Sequence, residues 1–293
     1  MPELPEVETT LRGIQPKILH QVIQGITIRH TQLRWPVTPK IKSKTLNQVI
    51  QAVERRGKYL LLRLKNGTLL IHLGMSGKLR ILPKDTPAQK HDHIDLIFSH
   101  DILRFTDPRR FGAFLWVEGD PSQHMLLKRL GVEPLTTAFN GRYLKQQAQR
   151  RVLAVKLFIM DNQVVVGVGN IYANEALFLA KIHPQTSVSS LDLAECNRLA
   201  RAIKQVLRSA IRAGGTTLRD FSDSQGNPGY FSQDLQVYGR QNLPCFNCAR
   251  PLALIKLGQR ATVFCPSCQV ITASPPSYSK AVHVRNAKSN ISN

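Results

Sequence analysis

Acidic side chains are scarce in this chain: 19 Asp plus Glu stand against 40 Lys plus Arg in 293 residues, a formal net charge of +21. Such an excess calls for a polyanionic partner, and nucleic acid is the first candidate. An anionic membrane surface is disfavoured, because no basic amphipathic helix or lipidation signal is present. Long apolar runs are missing too; the best, VVVGVG at 164–169, is far short of a bilayer span. No basic and apolar leader pattern opens the chain, so the expectation is a soluble, cytoplasmic protein without membrane association. No GK[ST] follows a glycine-rich loop, which excludes a P-loop nucleotide site. No internal repeat is visible. Cysteine is limited to five residues, four of them near the C-terminus, so a disulfide framework is not expected.

What is present divides into two parts. Leu4, Val7, Leu11, Ile14 and Ile18 recur at helical spacing, predicting an amphipathic helix that starts within the first few residues. Strand patterns follow at 22–30, 48–56, 58–75, 93–98, 102–107 and 111–117, and Asn66-Gly67 predicts the two turn residues of a hairpin. The fold class expected is α+β, with an N-terminal β-sandwich flanked by the N-terminal helix over residues 1–133. Residues 134–141, punctuated by Pro134 and Gly141, read as a linker. Helical patterns then run at 142–149, 152–160, 171–181 and 192–213, with Asp192 as N-cap and Gly214-Gly215 as the stop. Cys196 falls on the apolar stripe of the last of these and is a core residue. Residues 270–293 form a basic tail expected to lack a packed core.

Three constellations carry chemistry. Cys245-x2-Cys248 and Cys265-x2-Cys268, sixteen residues apart, have the spacing of a ribbon binding one structural Zn2+; four thiolates leave no open coordination position. The segment GVGNIYANE (167–175) places two glycines before a helix and fits either a phosphate-binding cradle or a tight interhelical corner. DPRRFG (107–112) and HLGMSG (72–77) set Arg109, Arg110, Phe111 and Met75 at strand ends, either as ordinary surface and core or as a wedge for a base stack. His91 and His93 in KHDHID are placed on one strand face.

Together PELPEVE (2–8), RRGKYL (55–60), HLGMSG, DPRRFG, GVGNIYANE and QRATVFCPSCQ (259–269) resemble, in order, the bacterial formamidopyrimidine-DNA glycosylase family over residues 2–269. That resemblance implies a helix-two-turn-helix domain over 142–238 and a zinc ribbon over 239–269. It implies a base-excision-repair glycosylase and AP lyase acting, as a monomer, on double-stranded DNA with oxidised purines or abasic sites. Pro2, once Met1 is removed, would present a secondary amine with a pKa near 8, more often neutral than a lysine. The resemblance makes Glu3 a general acid/base, Lys58 and Arg260 proton and phosphate handlers, and Glu6 a supporting carboxylate. It assigns phosphate contacts to His91, Arg151, Lys156 and Asn170, and the wedge to Met75, Arg109 and Phe111. Residues 216–231 resemble a loop that closes over an extruded base. The related endonuclease VIII, specific for oxidised pyrimidines, typically opens PEGPE where Leu4 stands here. A non-catalytic zinc-ribbon DNA-binding protein would leave Pro2, Glu3 and Lys58 without a task.

Overall fold

The computed structural model describes residues 2–149, 151–216 and 231–271. The expectations for Met1 removal, for nearly all of the 216–231 loop and for the tail beyond 271 lie outside the described residues.

Helix α1 (Leu4–Ile18) starts early because Glu3 caps it and Leu4-Pro5 occupy its first turn, where proline loses no hydrogen bond. Its buried stripe of Val7, Leu11, Ile14 and Ile18 joins the N-terminal core. That core lies between two four-stranded antiparallel sheets. One has the order β1 (Gly25–Ile28), β6 (Asp92–Ile97), β7 (Asp101–Thr106), β5 (Lys78–Pro83). The other runs β2 (Ala52–Arg56), β3 (Tyr59–Leu64), β4 (Gly67–His72), β8 (Ala113–Val117). The fold is therefore α+β with an N-terminal sandwich, as the sequence indicated.

Three details differ from the sequence reading. The β3–β4 register pairs Leu64 with Gly67, so the turn residues are Lys65 and Asn66, and Asn66 does not take a positive φ. Gly67 instead opens β4 where Trp116 packs onto it. Strand β5 has one well-buried side chain, Leu79, and so lacked a legible alternation. Short α2 (Lys40–Thr45) buries only Ile41 and Thr45, too few positions to display a period.

The second part holds α3 (Gly141–Ala148), α4 (Val155–Met160), α5 (Asn170–Leu179) and α6 (Leu193–Arg212) around one core that includes Cys196. Asp192 and Glu195 form a reciprocal capping box on α6, and Gly214 and Gly215 follow it with positive φ. A two-stranded hairpin, β9 (Ala253–Leu257) and β10 (Arg260–Phe264), carries the cysteine pairs. Helix α1 packs on β2, β3 and β5 and also on α6, so its N-terminus lies at the junction of the two parts. Among the described residues no helix is long and apolar enough to cross a membrane.

Candidate active site

The acidic opening of the chain is buried. Pro2 has little exposure, and Glu3 and Glu6 are 3% and 2% exposed. A buried carboxylate needs hydrogen-bond donors, and backbone amides provide them here. The Glu3 carboxylate accepts from the amides of Gly169 (2.7 Å) and Ile171 (3.0 Å) at the start of α5. Gly169 is the N-cap of α5. A Cβ on Gly169 would lie 2.3 Å from the Glu3 carboxyl carbon, and one on Gly167 (φ +82°) would lie 2.5 Å from Leu4. The expected anion cradle therefore exists, but the anion at the Gly169 amide is the protein's own Glu3, not a phosphate.

Glu6 stands one turn further along α1. Its carboxylate accepts from the Glu3 amide (2.8 Å), the Tyr172 hydroxyl (2.5 Å) and the Thr216 amide (2.8 Å). The two carboxylates thus join α1, α5 and the end of the α6 connection. Burial pushes the Glu3 carboxyl above its ordinary range, while the Lys58 ammonium pulls the other way and Glu6 reinforces the rise. Burial, with the neighbouring Glu6, pushes the Tyr172 phenol well above its usual value, so it stays a donor.

Lys58 lies in the β2–β3 turn and is 8% exposed. Burial lowers its pKa; Glu3 and Glu6 oppose that, and Arg260 adds to it. Four residues widely separated in sequence therefore form one electrostatic unit. The turn is held from below. Gly57 donates its amide to Glu133 at 2.7 Å, Arg55 bridges Glu8 and Glu133, and Arg56 binds Glu133 and the Leu130 and Gly131 carbonyls. The expected linker thus begins beside a residue, Glu133, that pins the two parts together.

Arg260, the first residue of β10, is exposed. The hairpin that presents it is docked on the helices. The buried Lys156 ammonium donates to the Ala261 carbonyl (3.0 Å) and the Thr262 hydroxyl (2.7 Å). The Asn170 side chain donates to Ala261 (3.1 Å), and the Asn174 side-chain carbonyl accepts from the Val263 amide (3.1 Å). Lys156 has no solvent exposure, and burial lowers its pKa to about 7. Its place is under the hairpin, not on the phosphate-facing surface that was expected.

Behind the hairpin the four cysteine sulfurs lie within 4.8 Å of one another, Cys248 and Cys265 at 3.4 Å and Cys245 and Cys268 at 4.0 Å. Four thiolates around one tetrahedral ion at about 2.3 Å each would stand about 3.8 Å apart. The cluster is placed to bind a metal ion. Amides of Asn247 and Cys268 point at the Cys245 and Cys265 sulfurs at 3.4 Å.

Across from Arg260 lies an open cleft of about 740 Å³, lined by Gln32, Arg34, His72, Met75, Arg109, Phe111 and Arg260 among others. The three residues expected to form a wedge thus line one cleft with Arg260. Phe111 is 43% exposed, and the Arg109 guanidinium stacks on its ring at 4.9 Å. The loop that carries Arg109 and Phe111 is braced: the buried Asp107 carboxylate accepts from the Ser76 hydroxyl (2.6 Å) and the Gly112 amide (2.8 Å), while Ser76 accepts from the Arg109 amide (3.1 Å).

Two expected phosphate contacts sit outside this cleft. His91 precedes β6 and accepts the Asp107 amide with its carbonyl, at the base of the wedge loop. Arg151 pairs with Asp161 at 3.5 Å and lies over Phe158. His93 does not share His91's surroundings. It is buried at a β-bulge, with its Nε2 2.8 Å from the Asp107 carbonyl. Tyr172, Asp107, Glu133 and Asn174 were not singled out in the sequence, although Tyr172 and Asn174 lie inside GVGNIYANE and Asp107 begins DPRRFG.

Buried carboxylates and a buried lysine where a sandwich meets a helical domain, beside a basic cleft and a cysteine-cluster hairpin, are the arrangement of an enzyme that works on a polyanion. The sequence profiles for the formamidopyrimidine-DNA glycosylase N-terminal domain and H2TH domain match residues 1–114 and 130–222. Formamidopyrimidine-DNA glycosylases of Hydrogenovibrio crunogenus and Escherichia coli are 57% and 54% identical over 270 residues, 92% of this chain and 96% and 100% of theirs. Lactococcus lactis Fpg bound to Fapy-dG DNA superposes with a TM-score of 0.86 at 33% identity, over 92% of this chain and all of that one. The chain belongs to the formamidopyrimidine-DNA glycosylase family and is a DNA glycosylase with AP lyase activity.

Proposed function

We propose that this enzyme excises oxidised purines, 8-oxoguanine opposite cytosine and formamidopyrimidines, from duplex DNA and then cleaves the abasic strand, acting as a monomer on cytoplasmic, nucleoid DNA. The observation that carries the reading is the convergence of Glu3, Glu6, Lys58 and Arg260 on one site immediately beside Pro2. One chain supplies every one of these groups, which supports action as a monomer. The related Lactococcus enzyme has been solved with Fapy-dG DNA and with abasic-site DNA.

After removal of Met1, the Pro2 amine lone pair forms a bond to the sugar C1′ and the glycosidic bond breaks, its electron pair leaving with the base. Loss of the amine proton and opening of the sugar ring give an iminium, with a proton delivered to the ring oxygen. Glu3 is suited to that delivery because burial raises its pKa toward the working pH. The iminium acidifies the C2′ hydrogen. A base removes it and the 3′ phosphate departs, after which the 5′ phosphate leaves by a second elimination. Lys58, with a lowered pKa beside two carboxylates, is the candidate base, and Arg260 holds the flanking phosphates. Met75, Arg109 and Phe111 fill the space of the extruded base, Arg109 pairing the orphaned cytosine, while His91, Arg151 and Asn170 contact phosphate. For Lys156 the burial favours a supporting role beneath Arg260. The cysteine cluster holds one structural Zn2+: four thiolates suit a closed tetrahedral zinc site and leave no place for substrate.

Borohydride trapping on a duplex with 8-oxoguanine opposite cytosine tests the amine. A covalent adduct is expected with the Met1-free protein, confirmed by intact mass. In Pro2→Gly, which keeps a primary α-amine, the adduct should fall; a trapped adduct of the Met1-free wild type that maps to a residue other than Pro2 defeats the assignment. A parallel thymine glycol duplex measures the second reading, oxidised pyrimidines, since the Lactococcus enzyme has also been solved with an oxidised pyrimidine.

A further inference from the structure

The longest helix turns a basic, acid-free face away from its own core. In α6 the residues Cys196, Leu199, Ile203, Leu207 and Ala210 are buried, while Arg201, Arg208 and Arg212 are exposed on the other side. At 3.6 residues per turn these arginines fall in one stripe about 16 Å long. The helix holds one acid, Glu195, in its first turn, where it serves the cap and lies 3.9 Å from Arg198. Among the described residues no carboxylate lies within 4.0 Å of the three arginines. Half-buried Lys204 lies within the stripe; it donates to the Thr136 carbonyl at 2.8 Å, and its pKa is lowered by burial and by Arg208. Like charges one turn apart destabilise a helix, and a merely soluble surface is served equally well by mixed charges. An anionic occupant removes that penalty.

None of these residues lines the catalytic cleft. Helix α6 packs against α1, the helix that carries Glu3 and Glu6, with the arginine stripe on its solvent side. We infer that the exposed face of α6 is a second DNA-binding surface, contacting the backbone of a duplex segment other than the one in the cleft. DNA is favoured over an acidic protein because the stripe has no apolar anchor. The one exposed large apolar residue of α6 is Leu193, at the far end from Arg208 and Arg212. Protein partners are held by buried aromatic and aliphatic anchors, whereas non-specific DNA binding rests on phosphate contacts alone. With about 3.4 Å per nucleotide along a strand, the stripe spans about five nucleotides. Two surfaces on one molecule let the enzyme pass between duplex segments without first leaving DNA.

The inference does not rest on the lesion chemistry and is tested separately from it. Full-length protein is saturated with a duplex carrying a tetrahydrofuran abasic analogue, which fills the cleft, and a labelled undamaged 30-base-pair duplex is titrated in. The wild type should bind this second duplex, and its log affinity should fall with log salt. In Arg201→Gln/Arg208→Gln/Arg212→Gln that slope should decrease in magnitude by about 3, about 0.9 for each lost phosphate contact. In a separate arm without abasic duplex, release of labelled undamaged duplex should quicken with unlabelled competitor in the wild type and be independent of it in the variant. Unchanged cleavage of a lesion duplex shows that the variant is folded; Arg201→Glu/Arg208→Glu replaces it if it is not. Equal slopes and equal competitor dependence overturn the inference. So does arginine-dependent binding of polyglutamate without binding of the second duplex, which would reassign the face to an acidic protein.

Discussion

The Gly169 amide donates to the Glu3 carboxylate at 2.7 Å, and the space a side chain would need at Gly169 is filled by that carboxylate. Replacing Gly169 with alanine must therefore move Glu3 or the start of α5. A misplacement of about 1 Å at a reacting group costs on the order of 100-fold in rate. Single-turnover base release by Gly169→Ala should fall by about that factor, with a lowered melting temperature, because the added methyl overlaps a buried carboxylate and disturbs its bonds to the Gly169 and Ile171 amides.

Tyr172 should act through Glu6. Its hydroxyl donates to Glu6 at 2.5 Å and lies 2.9 Å from the Thr216 hydroxyl. A hydrogen bond to a charged group contributes about 1.5–3 kcal/mol. Tyr172→Phe should lose about that much stability in urea melts and about tenfold in kcat, with KM little changed. A change confined to KM would show that the phenol serves DNA binding instead.

Lys156 carries a pH signature. With a folded pKa of about 7 against an ordinary value of 10.5, the unfolded chain binds the extra proton between those pH values. Stability therefore rises with pH through that window, by about 2 kcal/mol from pH 7 to 9 on this group's account. Lys156→Met should flatten that rise. It should also raise amide exchange across β9 and β10 and weaken cleavage, because Ala261 and Thr262 lose a donor that helps place Arg260.

His72 carries a signature of the same sign at lower pH. Burial, with Lys58 and Arg34 nearby, lowers its pKa to about 4, so the ring stays neutral and its Nδ1 accepts the Gly74 amide at 3.0 Å. The unfolded chain takes up a proton near pH 6.5 and the folded one does not. Stability is fully present above pH 6.5 and is lost as pH falls toward 4, by up to about 3 kcal/mol. In His72→Asn, urea midpoints measured between pH 7 and pH 4.5 should fall less steeply than in the wild type.

Metal removal should act locally. A chelator combined with a thiol reagent should release one zinc per chain, measured by mass spectrometry, and abolish cleavage by freeing the hairpin that carries Arg260. The N-terminal sandwich should keep its melting transition, since its core shares no residue with the cysteine cluster.

Much of this enzyme was legible in its residues. Helical spacing from Leu4 to Ile18 fixes α1, Asp192 and Gly214-Gly215 bound α6, and the cysteine spacing marks the metal cluster, because caps, periods and ligand geometry are local rules. The roles proposed for Pro2, Glu3, Lys58 and Arg260 were readable only through the resemblance of whole motifs. What the tertiary structure alone decided is which groups meet. A glycine-rich helix start attracts anions whatever their source, so nothing local could tell that Glu3, more than 160 positions away, takes the Gly169 amide. Lys156 reads as a surface cation until the hairpin folds over it and its ammonium, taken from water, needs the carbonyl and hydroxyl of β10. Sequence patterns report periodicity and composition; burial and long-range pairing depend on which faces pack together, and that is settled only when the two parts close around α1.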